Sequence, residues 1–174
     1  VPTAAPAATP AQVSESVELG AGWLRAQQDP ATGTVAGFGG DWSLSAMAAA
    51  GVNAADWHGS APGDPSAQDA YLAEWASSSW LAPVDPANGW YNPDFRSASD
   101  FARATLLAHA AGLQPSRLSA EQNLVAQLAA AWRGDGQYGA AGLNGAMFAM
   151  MALAQEPVPQ AVLDKTGALI RANQ

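Results

Sequence analysis

The sequence predicts an all-α fold built from a repeated loop-then-helix unit, and three observations predict it. A glycine-rich loop with one aromatic, an Asp-Trp pair and a small-residue helix fill residues 32–51, and the design returns from Asp135. Sliding the chain by 103 positions sets Gly33 on Gly136, Asp41 on Asn144, Ala46 on Ala149 and Met47 on Met150. A looser copy runs from Asn88-Gly89-Trp90-Tyr91 to Asp100-Phe101-Ala102-Arg103-Ala104. A unit recurring every roughly 45–60 residues marks a repeat architecture. The second observation is apolar residues spaced at helical intervals. The third is that β-branched residues are few and nowhere alternate with polar ones, so strand signals are missing.

At 174 residues the chain suits one domain and can bury a core. Half of it is apolar, much of that alanine, so helices pack closely on small side chains. Seven Lys+Arg against fifteen Asp+Glu give a net charge of −8. That balance argues against a nucleic acid or an anionic membrane as partner, since both want a basic surface. With no cysteine, disulfides, thiol chemistry and thiolate-held zinc are excluded. No apolar run reaches the ~18 residues a membrane span needs. Residues 1–9 form a Pro/Ala/Thr lead without periodicity, of the kind that follows a cleaved secretory signal. It implies an extracellular or cell-surface protein, with the repeat domain over residues 10–174.

Thr9-Pro10-Ala11-Gln12 reads as a capping box with proline at the first helical position. Val13, Val17, Ala21 and Leu24 stripe helix one, which Asp29-Pro30 ends. The loop that follows holds Gly33, Phe38, Gly39 and Gly40, and Asp41 is expected to cap helix two, ending near Gly51. Ser66-Ala67-Gln68-Asp69 is a second box, opening a helix with Leu72, Trp75 and Ser79 on one face. Residues 83–96 form a long loop carrying Trp90, Tyr91 and Phe95. Ser97 and Asp100 mark the start of helix four, and Ser119-Ala120-Glu121-Gln122 that of helix five. Asn144 is expected to cap helix six, striped by Met147, Met150, Met151 and Ala154. Pro157 and Pro159 separate it from helix seven, with Val162, Thr166 and Leu169. Helices one, three, five and seven form one class. Two, four and six, richer in Ala, Gly and Met, form the other.

The chain ends on Ala168-Leu169-Ile170-Arg171-Ala172-Asn173-Gln174, an echo of Gly22-Trp23-Leu24-Arg25-Ala26-Gln27-Gln28. A repeat array leaves apolar faces open unless capped or closed. The echo therefore predicts a further chain segment, a partner, or a second copy forming a homodimer.

These phrases resemble the terpene-cyclase and protein-prenyltransferase α/α toroid, the superfamily that also includes vitamin B12 carriers. Trp23-Leu24-Arg25-Ala26-Gln27-Gln28, Gly33, Phe38-Gly39-Gly40 and Ala46-Met47-Ala48 fit its repeat well; Trp132, Asp135-Gly136 and Tyr138-Gly139 fit it more loosely. The resemblance implies a ring of alternating inner and outer helices, about seven here, making an incomplete or half ring. It does not carry the activity. Where a zinc prenyltransferase has Asp and Cys, Asp41-Trp42-Ser43 has Ser for Cys. Where it has Asp-Phe-x-His, Asp100-Phe101-Ala102-Arg103 has Arg for His. No metal or cofactor is expected. The Asp-x-Asp-Asp acid of class II cyclases is missing too.

Asp41, Asp100 and Asn144 read first as N-caps, each stabilising its helix by about 0.5–2 kcal/mol. Asp41 and Asp100 are the sole catalytic candidates, as a carboxylate pair in a cyclase or prenyl-transfer enzyme. Trp42, Trp90, Tyr91, Phe101 and Tyr138 read as core or as an aromatic cavity lining. Met147, with Met47, Met150 and Met151, is an adaptable apolar surface. Arg103 pairs with Asp100 or Asp41, or meets an anionic head group. Trp23, Trp75 and Trp132 read as structural. His58 and His109 lack the partners of a catalytic base. The leading expectation is a secreted, non-catalytic module binding a small apolar or amphiphilic molecule. The cyclase-type enzyme ranks below it, and a purely structural repeat domain third.

Overall fold

The structure, a computed structural model, describes residues 8–35, 40–76, 98–119, 122–139 and 142–174, the side chains of Asp41 and Ala76 excepted. Among them are seven α-helices: α1 (Pro10–Ala26), α2 (Gly40–Ala49), α3 (Ala67–Ala76), α4 (Ala98–Ala110), α5 (Leu124–Ala130), α6 (Gly142–Leu153) and α7 (Gln160–Ala172). Short 3-10 turns sit at Ala54–Asp56 and Pro115–Arg117. The described residues hold no strand, only isolated antiparallel bridges such as Gln28 to Val35 and Trp132 to Tyr138. The described chain is all-helical.

Two capping boxes form as the sequence predicts. Thr9 accepts from the Gln12 N–H while the Gln12 side chain accepts from the Thr9 N–H at 2.9 Å. Asp69 accepts from the Ser66 N–H (2.9 Å) and hydroxyl (2.7 Å), and its own N–H donates to Ser66 Oγ. Other starts differ. Helices α2, α4 and α6 begin at Gly40, Ala98 and Gly142, so Asp41, Asp100 and Asn144 stand inside the first turn and are not caps. Asp100 there still complements the helix dipole. Helix α5 begins at Leu124, where Asn123 Oδ1 accepts from the Ala126 N–H at 2.8 Å. Ser119 and Gln122 are instead bonded to one another through their backbones in the preceding turn. Asn123 wins because it directly precedes the first buried apolar residue, Leu124.

Helix α4 is the centre of the core. Phe101, Ala102, Ala104, Leu107 and Ala108 are buried, and α4 packs against α2, α5 and α6. Alanines let the backbones approach; Ala146, Ala149 and Ala152 do the same on α6, which also packs on α7. The α3 side chains reach α4 by polar ties: Tyr71 Oη donates to Ala104 O and Gln68 Nε2 to Ala111 O, both at 2.7 Å. The second satisfies a carbonyl that the end of α4 leaves without a helical partner.

The repeated glycine loops have a repeated job. Gly33 and Gly136 both have positive φ, +74° and +95°. A Cβ on Gly33 would overlap Ser66 O and lie 2.8 Å from Pro65 O; one on Gly136 would lie 2.6 Å from Lys165 O. Each loop is pressed onto the backbone of a later element. Gln28 ties the first one in, Nε2 donating to Gly33 O (2.9 Å) and Trp57 O (3.0 Å).

Candidate functional site

Helix α1 buries none of its residues. Only Ala21 and Leu24 of its apolar stripe pack against the core, on the side of α2. Val13, Val17 and Trp23, expected as core or structural, are exposed, Trp23 by 63%. Between α1 and α2 runs a groove of about 410 Å³, walled by Val17, Ala21, Trp23 and Leu24 on one side and Ala46 and Met47 on the other. Gly20 and Ala50 complete it, so the lining carries no charged side chain. A concave apolar site of this size suits a small ligand or a segment of another chain.

The predicted site residues that the structure describes lie in separate places. Trp42 is exposed on α2, one turn before Ala46, and is not among the residues that line the groove. Met147 is exposed on α6 with Leu143 and Met151, a separate apolar stripe. Phe101 and Tyr138 are wholly buried in the core and do not line the groove. Arg103 and Asp100 form an i, i+3 ion pair at 3.9 Å, partly exposed and therefore of modest energetic weight. Trp90, Tyr91 and the Asp41 side chain lie outside the described residues. Trp75 is buried as expected, and Trp132 lies under the Lys165 ammonium, 5.7 Å from the ring centroid.

His109 has a partner that the sequence did not suggest. Its Nε2 lies 2.9 Å from Glu156 Oε1, oblique to the ring N–H, tying the end of α4 to the turn after α6. The Tyr138 hydroxyl faces Thr166, whose own hydroxyl donates to Val162 O at 2.8 Å. Tyr138 makes no well-directed hydrogen bond, and burial raises its pKa, partly offset by Thr166. A smaller cavity of about 80 Å³ lies among Gly33, Val35, Leu44, Trp57 and Tyr71, where the buried Trp57 indole N–H has no hydrogen-bond partner. It has room for a few waters. Among the described residues no cluster of three His, Asp or Glu could hold a metal ion, and no helix is long and apolar enough to cross a membrane.

Compared with protein-family models, curated proteins and solved structures, the chain matches none. The groove was missed in the sequence because Val13, Val17, Ala21 and Leu24 have the spacing of a buried stripe. Two glycines within α1, Gly20 and Gly22, are the local hint, since neither has a neighbour within 4 Å of where a Cβ would stand.

Proposed function

We propose that this chain is a non-catalytic binding module whose α1–α2 groove takes a small apolar molecule or the apolar part of an amphiphile. The observation that carries this reading is the groove itself: about 410 Å³, uncharged, with Trp23 exposed along it. Apolar area removed from water contributes about 25 cal/mol per Å², and a flat indole supplies much of that area with few torsions to order. The toroid reading belongs with it. Helices α2, α4 and α6 lie side by side, with α1 against α2, α5 against α4 and α7 against α6. That alternation supports an arc of a terpene-cyclase-like or prenyltransferase-like ring. The Pro/Ala/Thr lead supports a place outside the cell or on its surface.

The test is titration of the protein with Nile red, a neutral solvatochromic dye, followed by its emission shift. Saturable binding is expected, weakened about tenfold or more by Trp23→Ala or Ala46→Asp, with helicity by circular dichroism unchanged. Binding that is absent, or indifferent to both substitutions, would sink the reading.

A further inference from the structure

Helices α2 and α6 are the same unit 103 positions apart, yet they bury opposite sides. Trp42, Ala46 and Ala49 are exposed on α2, while the residues in their places on α6, Gly145, Ala149 and Ala152, are buried. On the other side the order reverses. Leu44 is buried on α2, and its counterpart Met147 is exposed on α6 with Leu143 and Met151. At about 100° per residue, Trp42, Ala46 and Ala49 share one narrow arc, and Leu44 lies about 180° from it.

Matching residues with opposite burial need a cause outside the helix, and α4 supplies it. Helix α4 packs against both α2 and α6, so it covers the late side of the first and the early side of the second. Aligned through Asp41-Trp42 and Asp100-Phe101, α4 itself buries both sides. Its Phe101, Thr105 and Ala108 stand where α2 exposes Trp42, Ala46 and Ala49, and Leu107 is buried across the helix from them. Along this row the early side of each helix meets the late side of the one before. Two sides are left over, the early side of α2 and the late side of α6. With α4 between them, they face away from each other.

We propose that copies of this chain associate head to tail, the late side of α6 in one copy seated on the early side of α2 in the next. The contact continues the row from one molecule to another, repeating the packing of α4 on α2 and of α6 on α4. The seat is distinct from the groove, sharing Ala46 alone with it. Its surfaces suit each other: alanines beside Trp42 leave an irregular apolar face, and flexible thioethers fill such faces well. Trp42, Ala46 and Ala49 are uncharged, and α6 has no charged residue from Gly142 to Leu153. Only the net charge of −8 opposes approach, so association should strengthen as salt screens it.

The experiment is sedimentation velocity of the full chain from low micromolar to millimolar concentration, at low and high salt. Self-association promoted by salt is expected. Ala49→Glu, which spoils the early side of α2, and Met147→Glu, which spoils the late side of α6, should each weaken it about tenfold or more. Both positions are exposed and glutamate is a good helix former, so circular dichroism should be unchanged. Mixing the two variants is decisive. The Met147→Glu copy keeps a sound α2 side and the Ala49→Glu copy a sound α6 side, so native mass spectrometry should show a dimer with one of each. A chain that stays monomeric, an assembly that either substitution leaves untouched, or a mixture without the mixed dimer overturns the proposal. Neither Ala49 nor Met147 lines the groove, so the Nile red titration tests the groove and the mixing experiment tests this contact.

Discussion

Gly136 lies so close to Lys165 that a Cβ on it would stand 2.6 Å from the Lys165 carbonyl oxygen. The residue also holds φ at +95°, where side chains other than glycine are strained. Replacing Gly136 by Ala should therefore cost about 2–4 kcal/mol, combining backbone strain with overpacking. Gly134 is the control: φ is +83° but nothing lies within 4 Å. Gly134→Ala should cost only about 1 kcal/mol. Urea unfolding of the two variants gives the comparison, and equal losses would show that the loop is not wedged against α7.

Tyr138 is buried with a hydroxyl that makes no good hydrogen bond. Tyr138→Phe removes that polar atom and keeps the ring, so stability at neutral pH should hold or rise by about 1 kcal/mol. The pH dependence should change as well. Burial raises the folded-state pKa above the ordinary 10.0, so the wild-type contribution is complete below that value and lost as pH rises through the raised one. The Phe variant should lack this alkaline decline. A loss of stability at neutral pH would mean the hydroxyl is bonded.

On the acid side the group is Asp69. Its backbone bond from Ser66, then the Ser66 hydroxyl, hold the carboxyl below the ordinary 3.8. A depressed folded-state pKa gives stability that is complete above the ordinary value and disappears as pH falls through the lowered one. The gap in unfolding free energy between wild type and Asp69→Asn should accordingly be widest near neutral pH and shrink in acid. A gap independent of pH would place the effect elsewhere.

Asn123 caps α5, and Ser119 does not. Asn123→Ala should cost about 1 kcal/mol in thermal or urea unfolding. Ser119→Ala, whose side chain is not the cap, should cost less. The reverse order would restore the start of α5 to the Ser119 box.

Both capping boxes were legible because their hydrogen bonds join residues three apart, and nothing distant competes for them. The shared role of Gly33 and Gly136 was legible as a repeat. The expected caps at Asp41, Asp100 and Asn144 were not, because these helices begin two or three residues earlier than a cap at those positions requires, and helix ends are the least sharply defined part of a helical pattern. Aromatic residues misled in both directions. Tyr138 and Phe101 looked available to a ligand and are core, while Trp23 looked structural and is exposed.

The sequence by itself determined the all-helical class, the order of the helices and the recurrence of the glycine loops. Each follows from spacing, capping chemistry or backbone freedom within a few residues. It could not decide which apolar stripe is covered. Continuing the echo of residues 22–28 and 168–174 backward, Val17 on α1 and Leu163 on α7 occupy matching places, yet Val17 is exposed and Leu163 packs against the core. Burial belongs to the helix that arrives opposite, and for α7 that helix is α6. On α1 the tertiary arrangement leaves the place open, and the groove is the result.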